Sequence, residues 1–165
     1  MAILVSITCV TYNHEKYIAE ALEGFLMQKT DFQYEILIYD DASTDNTANI
    51  IRSYESRFPD IIKPIYQTEN QYAKKLKNNT TFNLPRAQGK YIALCEGDDY
   101  WTDPLKLQKQ ADYMEEHPDC SMCFHAVQVV KHDGKPTGRI IAPYKNNCIV
   151  PIEDLITGGG FLGTN

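Results

Sequence analysis

Long apolar runs are missing from this chain. No stretch approaches the ~20 apolar residues that a membrane span needs. The opening residues Met1 to Val5 lack the basic region and cleavage site of a signal peptide, so the chain is read as cytoplasmic, with association at the inner face of the membrane left open. Glycine-rich phosphate loops are missing too. No G-x-G-x-x-G follows the first apolar run and no G-x4-G-K-[ST] occurs anywhere, which argues against dinucleotide-binding Rossmann enzymes and P-loop nucleotidases. Positive charge is in short supply: 16 Lys and Arg face 22 Asp and Glu, for a net charge of −6. With no basic stripe to neutralise phosphates, a general nucleic-acid binder is not expected. Lys74, Lys75 and Lys77 form only a short cluster and read as a solvated face. The 5 cysteines are odd in number and have no secretory context, so reduced thiols are expected. Cys120 and Cys123 have C-x2-C spacing near His125, but Cys148 alone supplies no second pair, and a structural zinc is not expected.

What is present is alternation. Ile3 to Val10 reads as a buried strand. Asn13 is a candidate cap for a helix whose apolar stripe runs through Tyr17, Ile18, Ala21, Leu22, Phe25 and Leu26. Tyr34 to Tyr39 is a second strand. Ser43, Thr44 and Asp45 are capping types ahead of a helix that Pro59 ends. Ile61 to Tyr66 reads as a third strand, and Pro64 suggests an edge. A helix is expected somewhere in 73–88, broken or kinked by Pro85. Tyr91 to Cys95 is a clear strand, and Asp103-Pro104 opens a helix that reaches about His117. Ser121 to Val130 and Arg139 to Ala142 read as strands joined at Asp133-Gly134. The pattern predicts an α/β fold: a mostly parallel sheet with helices on both faces and an antiparallel hairpin at one edge. At 165 residues the chain is long enough for one core, and a single domain spanning 1–165 is expected.

In open α/β sheets, ligands bind beyond the carboxyl ends of the strands. Thr11, Tyr12 and Asn13 follow the first strand, Asp40 and Asp41 the second, and Glu96, Gly97, Asp98 and Asp99 the fourth. The last group is the most informative. Three carboxylates within four residues repel one another unless a cation or protons compensate. A hard divalent ion with oxygen ligands suits them. A bland alternative is a solvated turn that caps the next helix, but Asp103 already provides that cap. Asp40 and Asp41 read equally well as part of a helix start or as acceptors for a base or ribose. Tyr12 reads either as a packing tyrosine or as a platform for a planar base.

Three segments carry a family resemblance: Val5 to Asn13, Glu35 to Thr47, and Gly89 to Leu107. In order and spacing they resemble the signature blocks of the family 2 glycosyltransferases. The resemblance covers residues 3–130. It implies a GT-A (Rossmann-like) fold, a nucleoside-diphosphate sugar as donor, and Mn²⁺ or Mg²⁺ as cofactor. Carried over, it places Val10, Thr11 and Tyr12 at the base pocket and Asp41 on the base, with Asp40 beside it. Glu96-Gly97-Asp98 stands in the place of the Asp-x-Asp motif. Asp98 would hold ribose or metal, and Asp99 the metal. The family's basic residue before Gly89 has no clear match, and Lys77 is the candidate. The implied reaction is inverting transfer of a sugar, most simply from a UDP-sugar, to a glycan or lipid-linked acceptor. GDP and dTDP remain open as nucleotides. The general base is expected beyond Asn165, after a small-residue stretch that Thr157 to Asn165 resembles, so the chain is expected to be a fragment cut before its acceptor segment. Three other readings stay in view. A nucleotidyltransferase would want a basic glycine-rich segment after the first strand, which Thr11 to His14 does not provide. A binding module without turnover would keep only the pocket. A receiver-like domain using Asp40 and Asp41 would need a lysine at another strand end, and none stands there.

Overall fold

The computed structural model describes residues 2–142 together with Tyr144, Asn146, Cys148, Ile149, Val150 and Glu153. The chain divides into two compact units, 1–116 and 117–165.

The first unit is built on four parallel strands: β1 (Ile3–Thr11), β2 (Gln33–Asp40), β3 (Ile62–Tyr66) and β4 (Tyr91–Leu94), in the order β3-β2-β1-β4. Register is set from Ser6 opposite Glu35 to Thr11 opposite Asp40 on one side of β1, and from Val5 opposite Tyr91 to Thr8 opposite Leu94 on the other. As expected from Pro64, β3 is an outer strand of this sheet, paired only with β2.

Alternation along the strands decides what each face meets. Val5, Ile7 and Cys9 of β1 and Ile36 and Ile38 of β2 enter one core with α1 (Ile18–Leu26), α2 (Thr47–Arg57) and Leu107 of α3 (Lys106–Glu116). In α1, Ile18, Ala21, Leu22 and Phe25 are fully buried, at the spacing that aligns them on one stripe. Gly24 lets the chain after β4 approach α1: a Cβ there would lie 2.9 Å from the Trp101 backbone nitrogen. Trp101 packs edge-on against Phe25 at 4.9 Å between ring centres. Gln28 then clasps the same segment. Its Nε2 donates to the Asp103 carbonyl and its Oε1 accepts from the Leu107 N–H. The Asp103 carboxylate accepts from the Leu105 N–H, as a cap at this position should.

On the opposite face, the helix expected in 73–88 with a break at Pro85 forms as short π and 3₁₀ segments and not as a regular α-helix. The chain makes a 3₁₀ turn (Tyr72–Lys74), a π turn (Asn79–Asn83) and another 3₁₀ turn (Leu84–Arg86). Side chains fix it to the sheet. Asn79 donates to Thr8 Oγ1, Asn83 to the Cys9 carbonyl, and Arg86 to the carbonyls of Ile38 and Lys63. Phe82 stacks on Tyr39 at 4.6 Å. Anchoring by tertiary bonds replaces the apolar periodicity that a helix would have shown.

Asn13 is also used differently from the cap expected of it. It sits at φ 56°, and its Oδ1 accepts from the Thr44 N–H, while Tyr17 takes the N-cap position of α1 without a side-chain bond. In the second unit, β5 (Val127–Val130) and β6 (Pro136–Ile141) pair antiparallel in a sheet of their own. Gly134 turns the hairpin at φ 75°. Among the described residues, no helix is long and apolar enough to cross a membrane.

Candidate functional site

The chain runs β1, β2, β3 outward in one direction and then crosses back to place β4 on the other side of β1. That reversal marks the carboxyl ends of β1 and β4 as the place where open α/β sheets bind ligands. Thr11 stands at its centre. The Thr11 carbonyl accepts from the Asp41 N–H at 3.0 Å, which ties the end of β1 to the end of β2. One residue earlier, the Val10 carbonyl accepts from Gly97 N–H at 3.0 Å, which hangs the acidic turn on β1. Gly97 is needed for that approach: a Cβ would lie 2.6 Å from Thr11 Oγ1 and 3.1 Å from His14 Nδ1. Both of those atoms are buried and lack a hydrogen-bond partner, which is costly unless something else supplies one.

The acidic turn itself closes through Asp99 N–H donating to the Glu96 carbonyl at 3.2 Å. Glu96 and Asp98 are exposed and Asp99 is half-buried. The Glu96 carboxyl is held above its ordinary range, first by desolvation around it and then by the charges of Asp98 and Asp99, with His14 offsetting part of this. His14 Nε2 stands 3.9 Å from Asp98 Oδ2. Reading the sequence did not pick out His14. The signal available was its place in the loop directly after β1. Below the turn, burial pushes the Cys95 thiol up to about 12 and the Cys9 thiol well up, with neighbouring acids adding to both, so they are inert packing groups.

These residues fit a divalent ion. Three acids share one turn, and Glu96 resists ionisation through desolvation first and the charges of Asp98 and Asp99 second, which a cation would relieve. Among the described residues no three His, Cys, Asp or Glu side chains converge on one point. Carboxylate oxygens are the hard donors that Mg²⁺ or Mn²⁺ takes when a ligand's phosphates complete its shell.

The residues expected to bind donor separate into groups. Val10 and Thr11 are spent mostly on the frame described above. Tyr12 is 42% exposed at the end of β1 and free to offer its ring face. Asp40 ends β2 and Asp41 is the first residue after it; both are buried, and they meet different partners. Asp40 accepts from Ser43 Oγ, and burial raises its carboxyl while that bond lowers it. Asp41 accepts from four donors of this chain: Gln71 N–H, Tyr72 N–H, Asn78 Nδ2 and Tyr39 Oη. A base N–H was expected at that carboxylate, and its acceptor positions are already filled. Lys77 is exposed in the same segment that Asp41 holds. The small-residue stretch Thr157 to Asn165 lies outside the described residues.

Between Asp41 and Ser43, Ala42 adopts φ 62°, the left-handed region that a Cβ disfavours. Ala42→Gly is expected to raise stability by about 0.5–1 kcal/mol in urea unfolding, because the strain is relieved. An unchanged or lower midpoint would show that no strain is held there.

Comparison with known proteins agrees with this geometry. The sequence profile of Glycosyl transferase family 2 matches residues 6–161. An uncharacterised Mycobacterium tuberculosis protein is 49% identical over 130 residues, which is 79% of this chain and 37% of that protein. The Bacillus subtilis protein TuaG, named as a teichuronic acid biosynthesis glycosyltransferase, is 35% identical over 84% of this chain and 52% of its own length. The chain thus spans between about a third and a half of these curated relatives. Among solved structures, Staphylococcus aureus TarS in complex with UDP superposes with a TM-score of 0.59 at 29% identity, over 70% of this chain and 33% of that one. The chain therefore belongs to glycosyl transferase family 2, with the GT-A fold.

Proposed function

We propose that this domain binds a nucleoside-diphosphate sugar, in the first place a UDP-sugar, at the carboxyl ends of β1 and β4. The protein then transfers the sugar with inversion to a glycan or lipid-linked acceptor, in the cytoplasm or at the inner face of the membrane. The observation that carries this reading is the suspension of the Glu96–Asp99 turn from the Val10 carbonyl, which brings it against Thr11 and His14 at the end of β1. Tyr12 offers a stacking face for the base, and the chain around Val10 and Thr11 forms the wall behind it. Asp40 lies beside that wall. Asp98 and Asp99 would hold the divalent ion, and Asp98 would also meet the ribose. The ion, when bound, neutralises charge on the departing nucleoside diphosphate. An acceptor hydroxyl attacks the anomeric carbon from the side opposite the leaving group and gives its proton to a carboxylate. None of the described acids is assigned that role. TarS, a family neighbour whose structure holds UDP, supports the choice of nucleotide.

Calorimetric titration of UDP, GDP and dTDP, each with and without Mn²⁺, checks the reading. Binding of UDP that requires Mn²⁺ is the expected result. A preference for GDP or dTDP would change the nucleotide and keep the site. No binding of any of the three would remove the donor-site reading.

A further inference from the structure

His14 lies between β1 and α1, and its backbone is pinned on both sides. Loop 13–15 is clasped to loop 43–46 by reciprocal hydrogen bonds. Asn13 N–H donates to Ser43 Oγ at 2.9 Å, and Thr44 N–H donates back to Asn13 Oδ1 at 2.8 Å. Glu15 N–H donates to Asp45 Oδ2 at 3.1 Å, and Asn46 N–H donates back to Glu15 Oε2 at 3.0 Å. The His14 carbonyl accepts from the N–H groups of Tyr17 and Ile18, each at 2.9 Å, where α1 begins. The Tyr17 ring stands edge-on to the imidazole, with 6.4 Å between ring centres. A backbone fixed in this way limits the rotamers open to the ring.

The ring is set against the acidic turn. A Cβ at Gly97 would lie 3.1 Å from Nδ1, and Nε2 stands 3.9 Å from Asp98 Oδ2. The backbone of the turn is held by Gly97 N–H on the Val10 carbonyl and by Asp99 N–H on the Glu96 carbonyl. Neither bond fixes where the exposed Asp98 carboxylate points. The orphaned ring nitrogen is a second observation. Nδ1 is buried without a hydrogen-bond partner, and so is Thr11 Oγ1, which borders the same Cβ position at 2.6 Å. A hydroxyl donates and a neutral imidazole nitrogen accepts, so the two atoms are complementary. Joining them satisfies both, and it leaves Nε2 to carry its N–H toward Asp98.

We propose that His14 is a positioning residue for the acidic turn. Clasped in place by loop 43–46, it donates from Nε2 to one oxygen of Asp98 and leaves the other oxygen to a cation. The hold on the turn stands by itself; its use for cation and nucleotide rests on the donor-site reading above.

Two variants separate donation from packing. His14→Gln keeps a donor near the place of Nε2, and His14→Leu fills the space without one. Amide hydrogen exchange on the ligand-free protein is expected to speed up at Gly97 and Asp99 by about tenfold or more in His14→Leu, and to stay within about threefold of wild type in His14→Gln, with β1 and β2 unchanged in both. The Mn²⁺ concentration that half-saturates UDP binding is expected to follow the same order, about tenfold higher in His14→Leu and within about threefold in His14→Gln. Wild-type exchange in His14→Leu would overturn the proposal. So would equally fast exchange in both variants, which would make the ring a packing group. Unchanged Mn²⁺ dependence in His14→Leu, where wild type binds UDP, would overturn the role toward the cation alone. A wild type that binds no nucleotide would overturn the donor-site reading, and exchange at Gly97 and Asp99 then decides the place of His14 by itself. If His14→Leu does not fold, Glu15→Ala at the exposed end of the clasp takes its place. It is expected to speed exchange at Asn46, Gly97 and Asp99 together, and faster exchange at Asn46 alone would overturn the link from clasp to turn.

Discussion

Asp98→Asn/Asp99→Asn is expected to lose cation-dependent nucleotide binding by about a hundredfold or more while keeping the fold, because the change removes both charges that an open oxygen site offers and leaves side-chain volume almost unaltered. Neither residue belongs to the packed core. Relieving like-charge repulsion on the turn should, if anything, make the ion-free protein slightly more stable. The two effects have opposite signs, which makes the test decisive. Calorimetry with UDP and Mn²⁺ reads the loss, and thermal unfolding without the cation reads the retained fold. A double variant that binds within about threefold of wild type would show that the acids are a solvated turn and nothing more.

Gly89→Ala is expected to have the largest effect on stability. Its Cβ would lie 2.5 Å from the Ser6 nitrogen and 2.7 Å from the Val5 carbonyl carbon. Both belong to the backbone of β1, which is hydrogen-bonded on both sides and cannot give way. The approach is also used: Gly89 N–H donates to Ser6 Oγ, Ser6 Oγ donates to the buried Glu35, and Glu35 accepts from Gln88 N–H as well. Overpacking plus loss of these buried bonds should cost about 3 kcal/mol or more. Gly134→Ala makes the comparison. Nothing lies within 4 Å of its Cβ position, and its φ of 75° alone should limit the loss to about 1 kcal/mol. Equal losses in urea unfolding would mean that crowding at β1 is absent.

How far the sequence could be read follows from what stabilises each part. Strands β1 and β2 and the three α-helices place apolar side chains in one core, and Ile18, Ala21, Leu22 and Phe25 show helical spacing openly. Residues 72–86 are held by Asn79, Asn83 and Arg86 reaching backbone carbonyls and a hydroxyl on the sheet, and such bonds leave no periodic mark. The acidic turn was legible because several charges of one sign at a strand end call for a counter-ion. The use of Asp41 was not, since two of its four donors are backbone N–H groups that every residue but proline possesses.

The strand order also bears on how the domain folds. Val5 pairs with Tyr34 on one side and with Tyr91 on the other, so the β1–β2 contact closes a short loop and the β1–β4 contact a long one. Loop-closure entropy favours the first pairing, and sheet growth from β1–β2–β3 can precede the docking of β4. The acidic turn has no place to hang until Val10 accepts the Gly97 N–H. Nucleotide binding would then be acquired at the last stage of folding, and a nascent or partly unfolded chain that already holds its first three strands would have no affinity for a donor.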